Sequence, residues 1–482
     1  MAALSLPVDR PWDLVISEAH SDRLMGHLFS GGGDEHAAVL LAGLHVRRDC
    51  VRMLVRDVVL AEEGVDHVPG QRGYKMITAQ FMKPHLRRAR EEALVFLSVH
   101  NHGGTDRVGF SSDDLASHAR GYPALLDIVD GPPVGALVYA EAAVAGVIWL
   151  PDGRRVPIER STIVGARRRV WRPEPIPARQ ALDAELDRQV RLFGAAGQAI
   201  LQDAKVAIVG LGGAGSQLAE LLGRLGVGHF VLIDPDRADL TNLPRLVAAR
   251  RSDVLMTEAR AQGLLFSRGF DWLRRRKVDL AARNIRRANS KAKIERIAGS
   301  VVDASVAARL LDADFIFLAA DEMGARLVVN AIVQQYLIPA VQVGARVVAD
   351  LDTGEVNDVF AVSRPVFPQV GCLWCNGLID MTRLAEELTD KRQAQAQAYG
   401  SESPAPSVAS LNALATADAV NLFQFHMTAL ARPGFHTAYR RYRPLVGDVR
   451  LEEPRRDAAC SECGQEPGAR YALGAGVELP TR

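Results

Sequence analysis

Two histidines one residue apart, in His100-Asn101-His102, end the apolar run Leu94–Val99. Such a run reads as a buried strand. Side chains two apart on a strand point to one side, so both imidazoles can face one metal ion. The following GGTDRVGFSSDDL allows a tight return, and Asp114 begins what reads as a helix. Two histidines and one carboxylate leave a fourth zinc position open, the catalytic arrangement. A site of this kind needs a base for the water's proton and a donor for the oxyanion. Glu35, ahead of the strand-like Ala37–Ala42, is the base candidate, and Ser111 is the donor candidate.

A second constellation starts at Lys205–Val209, a short apolar strand followed by Gly210-Leu-Gly212-Gly213-Ala-Gly215. Leu218, Leu221, Leu222 and Leu225 then recur with helical period, and His229–Ile233 is the next strand, ending in Asp234. This is a βαβ unit with a GxGxxG turn, whose helix N-terminus accepts a nucleotide. Asp234 suits ribose hydroxyls. The run DPDRADLTNLPR then places Asn242 and Arg245 just beyond the strand. A dehydrogenase needs no such cation there. An enzyme making an acyl-adenylate does, because charge builds on the α-phosphate as pyrophosphate leaves. Arg245 and Lys277 are the expected clamp, with Lys291 as a neighbouring alternative. Asp321, after the strand Asp314–Ala319, is the expected magnesium ligand.

A third set is Cys372-Leu-Trp-Cys375 and Cys460-Ser-Glu-Cys463, 85 residues apart. Four thiolates close a tetrahedral structural zinc site. This uses four of the five cysteines. Cys50 reads as a core strand residue.

The first constellation resembles the JAB/MPN (JAMM) metalloprotease family over about residues 10–160. The family pattern is HxH, about seven residues, then SxxD, with an upstream glutamate. His100, His102, Ser111 and Asp114 match it. The gap from His102 to Ser111 is one residue longer than usual, which leaves Asp113 as an alternative ligand. Glu35 also sits one residue further from Gly43 than the pattern expects, and Gly103 replaces the usual proline. The resemblance implies a zinc isopeptidase acting on ubiquitin-like conjugates or precursors.

The second constellation resembles the ThiF/MoeB superfamily, which includes ubiquitin-activating enzymes, from about Asp187 to Gly464. DRQVRLFGAAGQAILQDAKVAIVGLGGAGS is similar to the family's opening phrase. By that resemblance Arg188 reaches the ATP of a partner subunit in a homodimer. Gly210, Gly212, Gly213 and Gly215 lie at the nucleotide, with Asp234 at the ribose. Asn242, Arg245 and Lys277 lie at the phosphates, and Asp321 lies at magnesium. Arg326 matches a family arginine, and PSVASLNALATADAVNLF the small-residue helix lining the adenylate. The stretch from Arg245 to Lys277 is about twenty residues longer than in compact relatives, and Thr257–Arg276 is expected to add a helix. The crossover loop Leu388–Val408 contains no cysteine. The adenylate therefore passes to an external nucleophile or, as an oxyester, to Ser401, Ser403 or Ser407.

The elements positioning these residues fall into an α/β arrangement. A JAB/MPN-type mixed-sheet domain is expected over 1–164 and a Pro/Arg-rich linker over 165–184. A Rossmann-like ThiF/MoeB adenylation domain is expected over 185–482. The expected cofactors are ATP, Mg2+ and Zn2+, one zinc catalytic and one structural. The expected partner is a ubiquitin-like protein or a sulfur carrier, together with a conjugating-enzyme-like protein. A modifier-binding scaffold and an oxidoreductase are the competing readings.

Bulk properties agree. The chain has 482 residues, 58 basic and 57 acidic, for a net charge of +1, so no global charge favours nucleic acid or membrane. No apolar run reaches the roughly 18 residues of a membrane span. The N-terminus lacks a secretory pattern, and the expected compartment is cytoplasmic.

Overall fold

Apolar runs punctuated by glycine and polar turns build two eight-stranded sheets, one in each of two units. The computed structural model describes residues 6–31, 35–68, 76–177, 183–254, 274–350, 353, 355–388, 407–432 and 437–482.

The first unit comprises Met1–Pro177, Gln334–Leu337 and Ala458–Glu478. Its elements are β1 (Trp12–Ser17), α1 (Glu18–Leu28), β2 (Ala37–Val46), β3 (Val51–Leu60), α2 (Ala79–Glu91) and β4 (Val95–Asn101). They are followed by α3 (Ser112–Val129), β5 (Val134–Tyr139), β6 (Val144–Trp149), β7 (Arg155–Val164) and β8 (Arg169–Trp171). The strand order is β1-β3-β2-β4-β5-β6-β7-β8, and β1 also pairs with β7, so the mixed sheet closes into a barrel-like form. Alternation on β4 sorts its side chains between two cores. Leu97 and Val99 join Leu14, Leu40 and Leu137 on one face. Phe96 packs with Leu86, Tyr122 and Trp149 on the other, under α2 and α3. His100 has the parity of Phe96 and so faces α3.

The second unit comprises Ala178–Val333, Ile338–Asp457 and Leu479–Arg482. It contains α4 (Asp187–Asp203), β9 (Lys205–Val209), α5 (Gly213–Leu225), β10 (His229–Ile233), α6 (Lys277–Ala288), β11 (Lys293–Ile297) and β12 (Phe315–Leu318). After these come α7 (Met323–Tyr336), β13 (Ala340–Ala349), β14 (Val356–Val366), α8 (Met381–Leu388), α9 (Ala409–Met427), β15 (Tyr439–Arg443) and β16 (Asp448–Glu452). The order is β11-β10-β9-β12-β13-β14-β15-β16, parallel from β11 to β13 and antiparallel beyond. Val206, Ile208, Phe315 and Phe317 are buried, as strands covered on both faces must be. The order reverses between β9 and β12, and ligands enter such sheets at that point, beyond the strand ends.

Two boundaries differ from the sequence expectation. Residues 165–177 are not linker but part of the first unit, since β8 pairs with β7. Pro173, Pro175 and Pro177 follow this strand and leave its pairing with β7 intact. The tail Ala458–Glu478 also belongs to the first unit. The buried Arg56 guanidinium explains this, donating to the carbonyls of Glu466 (3.1 Å), Ala469 (3.0 Å) and Tyr471. Most of the expected insert Thr257–Arg276 lies outside the described residues. Among the described residues no helix is long and apolar enough to cross a membrane.

Arg56→Met keeps much of the bulk but strands those carbonyls. It is expected to lower stability by roughly 2–5 kcal/mol in denaturant unfolding monitored on the full chain.

Candidate functional sites

In the first unit, β4 delivers His100 at its end, and His102 follows with its backbone N–H on Tyr139 O at 2.9 Å. This keeps His102 in register after the strand stops. Ser111 caps α3, its hydroxyl accepting from Asp114 N at 3.1 Å and donating to Asp114 Oδ2 at 2.7 Å. The box holds Asp114 against both imidazoles. His100 Nε2 lies 3.2 Å from His102 Nε2 and 3.4 Å from Asp114 Oδ1, and His102 Nε2 lies 3.3 Å from Asp114 Oδ2. Tetrahedral zinc with bonds near 2.0–2.1 Å has ligand–ligand edges of about 3.3 Å. The spacing between the two histidines fits that figure, and each imidazole has an Asp114 oxygen at a similar distance. His102 Nδ1 faces Gly109 O at 3.1 Å, and a carbonyl can only accept. The proton therefore sits on Nδ1 and the lone pair of Nε2 points into the cluster, as a metal ligand requires.

Burial alone would raise the Asp114 pKa. Hydrogen bonds from His100 and Ser111, with the charge of His100, outweigh it and hold the carboxyl well below its usual range. Glu35 is 3.6 Å from His102 Nε2, and burial raises its pKa against the opposing pull of His100 and His102. A carboxylate raised in this way is a better base. Asp114 and not Asp113 joins the cluster. The Ser111 proton is directed at Asp114. Asn101 was missed in the sequence: its Oδ1 accepts from His36 N at 2.6 Å and so ties the Glu35 segment to the strand carrying the histidines.

In the second unit the glycine turn is set by close approach. A Cβ on Gly215 would stand 1.9 Å from Gly210 O, and one on Gly210 would stand 2.7 Å from Ala320 N. Gly210 also has φ +87°, where other residues are strained. Gly212 has open space, so its backbone alone serves the turn. Asp234 is buried, accepting from Leu211 N at 2.6 Å and Asp236 N at 2.8 Å. Burial raises its pKa, while Lys277 and the two N–H groups oppose that rise. Lys277 starts α6, with Nζ 3.8 Å from Asp234 Oδ1 and 2.7 Å from Asp236 Oδ2. Lys291 is instead paired with Asp183 at 2.6 Å, on another part of the surface.

Arg245 follows the capped turn of Asp239 and Asn242, and its Cβ lies 3.5 Å from the Cβ position of Gly213. Among the described residues its guanidinium has no hydrogen-bonded or ionic partner. Asp321 is exposed after β12, next to the Ala320 that Gly210 abuts. The glycines, Asp234, Arg245, Lys277 and Asp321 thus surround one turn. Arg188 is exposed on α4. Asn412 of α9 was missed: its Nδ2 would lie 2.3 Å from a Cβ on Gly213, so that glycine makes room for an amide.

Each cysteine pair forms a knuckle. Cys372 Sγ accepts from Cys375 N at 3.4 Å in the second unit, and Cys460 Sγ accepts from Glu462 N at 3.4 Å in the first. Cys50 is buried, and burial raises its pKa, so it stays a protonated core thiol. Ser401 and Ser403 lie outside the described residues. Ser407 accepts from Asn412 Nδ2 at 3.3 Å.

Residues 186–423 match the ThiF family, so this region is a ThiF family domain. The chain is similar to the molybdopterin-synthase adenylyltransferase of Escherichia coli (strain K12), 30% identical over 147 residues. That match covers 30% of this chain and 51% of the relative. It is also similar to the tRNA threonylcarbamoyladenosine dehydratase of the same organism, 41% identical over 69 residues, covering 14% of this chain and 26% of the relative. The chain thus spans about half or less of these relatives' lengths. Among solved structures, E. coli MccB aligns with TM-score 0.45 and 21% identity, covering 59% of this chain and 74% of that one. The family match begins at residue 186 and does not reach the first unit, for which the expected JAB/MPN domain is not shown.

Gly213→Ala drives a methyl group against Asn412 and is expected to cost about 1–3 kcal/mol of stability. Adding Asn412→Ala should recover most of that loss, as read from the double-mutant cycle in urea unfolding.

Proposed function

We propose, from the premise of a ThiF family domain, that the second unit adenylates the C-terminal carboxylate of a ubiquitin-like or sulfur-carrier protein. The observation that carries this is the gathering of Asp234, Lys277, Arg245 and Asp321 around the turn Gly210–Gly215. In the proposed reaction a carboxylate oxygen attacks the α-phosphate of ATP. The bond to the bridging oxygen breaks, and pyrophosphate leaves with its electron pair. Arg245 and Lys277 offset the charge that builds on the phosphoryl oxygens. For this Lys277 turns from Asp236, whose side chain is 62% exposed and loses little by hydration. Asp234 keeps its N–H partners and still has lone pairs for ribose hydroxyls. Magnesium held by Asp321 would neutralise the departing pyrophosphate.

Arg188, exposed on α4, would reach a partner's nucleotide in a homodimer. With Cys50 buried and no cysteine in 388–408, the acyl-adenylate would go to an external nucleophile, such as the thiol of a conjugating-enzyme-like protein.

The first unit is proposed to hydrolyse the peptide or isopeptide bond at the same modifier's tail. Zinc held by His100, His102 and Asp114 would activate water and polarise the scissile carbonyl. Glu35 takes the water's proton and passes it to the leaving amine. Ser111 would have to turn its O–H from Asp114 Oδ2, to which it donates at 2.7 Å, in order to donate to the oxyanion. Each cysteine knuckle would contribute two thiolates to a structural zinc.

ATP–pyrophosphate exchange driven by candidate ubiquitin-like proteins tests the adenylation. Asp321→Ala should lower it by about 10²–10³-fold. ATP-dependent exchange unchanged in that variant would reject the assigned site. Metal analysis tests the rest: His100→Ala and Cys372→Ser should each lose a different zinc from the purified chain, and only the first should abolish cleavage of modifier precursors.

A further inference from the structure

Beside the histidine cluster of the first unit lies a cavity of about 370 Å³ lined by His27, Ser30, His36, Leu60, Ala61, Glu62 and Glu63. No step proposed above uses it. It lies at the N-terminal end of β2 and the C-terminal end of β3. Because β2 runs antiparallel to β4, with Ala37 opposite His100, this is the end where the histidines sit. His36 follows Glu35 directly, and its N–H is bound to the side chain of Asn101, between His100 and His102.

The wall presents acceptors. His27 Nε2 faces Ala37 O at 3.0 Å, so that nitrogen carries the proton. Burial lowers the His27 pKa, which favours the neutral ring with its lone pair on Nδ1. His36 is 7% exposed, packs edge-on to His27 with ring centroids 5.5 Å apart, and holds Ser30 Oγ at 3.4 Å through Nε2. Among the described residues neither ring's Nδ1 has a hydrogen-bond partner. Glu62 and Glu63 add two carboxylates at the rim, and Leu60 and Ala61 form an apolar floor. A metal ion is the weaker occupant. Three donor atoms of His, Asp or Glu side chains converge within 4.8 Å at His100, His102 and Asp114, and no such group forms in this cavity among the described residues.

We infer that this cavity takes a cationic side chain, lysine or arginine, of the polypeptide being cleaved, at a position next to the scissile bond. An aliphatic stem lies over Leu60 and Ala61, while the ammonium or guanidinium meets the carboxylates and the His27 Nδ1 lone pair. The cavity would then select basic sequence beside the bond that water would attack at the Glu35 and histidine site. Its place next to the scissile bond rests on the isopeptidase reading of that site; its preference for a cation does not.

The test uses the full zinc-loaded chain with ¹³C-labelled histidine. Nα-acetyl-arginine methylamide is titrated while the His27 and His36 ring signals are followed, with the norleucine analogue as control. The arginine probe should shift both rings saturably and the norleucine probe should not. Binding should weaken about tenfold or more in Glu62→Gln/Glu63→Gln, with zinc content unchanged. No shift with arginine, an equal shift with norleucine, or unaltered affinity in the double variant overturns the proposal. The subsite is tested by cleavage of quenched modifier-tail peptides carrying arginine or glutamate beside the scissile bond. Preference for arginine that disappears in the double variant supports the placement; equal rates overturn it. If arginine binds but His100→Ala retains zinc and cleavage, the isopeptidase reading of the cluster fails while the cation site stands.

Discussion

A buried carboxylate organises the second unit. Asp234 has almost no water to solvate it, so its charge has to be met by fixed donors, and these are Leu211 N–H, Asp236 N–H and the Lys277 ammonium. Each donor fixes a different piece of chain. Leu211 belongs to the glycine turn, Asp236 to the segment leaving β10, and Lys277 to the first residue of α6. One desolvated charge thus joins three segments that the sequence keeps apart, at the end of the sheet where nucleotides bind. Shape then reinforces charge, because Gly215 packs against the Gly210 carbonyl and Gly210 against Ala319 and Ala320, so neither can carry a side chain.

The first unit solves a similar problem with a helix cap. Asp114 serves α3 as the third residue of a capping box, and its carboxylate also faces His100 and His102. The bonds that start the helix therefore aim the ligand. Asn101 does the same for the opposite wall, using an amide between the two histidines to hold the chain that carries Glu35. Away from the cluster, the Arg56 guanidinium ties down a tail segment through backbone carbonyls alone, which makes that contact indifferent to the tail's side chains.

Much of this was legible in the residues. The βαβ unit, its glycines, Asp234 and the HxH–SxxD spacing follow from short-range periodicity and spacing, which a sequence records directly. Asp113 and Asp114 could not be separated by spacing. The capping box separates them, because only the third helical residue folds back onto Ser111. Lys277 and Lys291 are separated by what each one touches, Asp236 or Asp183, and no local pattern encodes that. Asn412 gave no signal, since its role is to fill the space that Gly213 leaves empty from nearly 200 residues away in the chain. The place of the tail was also hidden, because Arg56 recognises carbonyls that every residue has. The prolines of 165–177 suggested a linker, yet they fall outside Arg169–Trp171 and leave that strand free to pair with β7.

The distribution of thiols sets a constraint on how the proposed chemistry could end. An enzyme that stores an activated acyl group on itself needs an accessible thiolate, or a hydroxyl with a base beside it. Cys50 is buried and its pKa is raised, so it meets neither condition. The other four cysteines sit in the two knuckles. Ser407, the described hydroxyl of the crossover segment, accepts a hydrogen bond from the Asn412 amide, which can donate but not remove a proton at that atom. Among the described residues of the crossover segment no group is suited to hold the acyl chain, so in the proposed scheme the specificity of transfer belongs to whichever nucleophile reaches the adenylate.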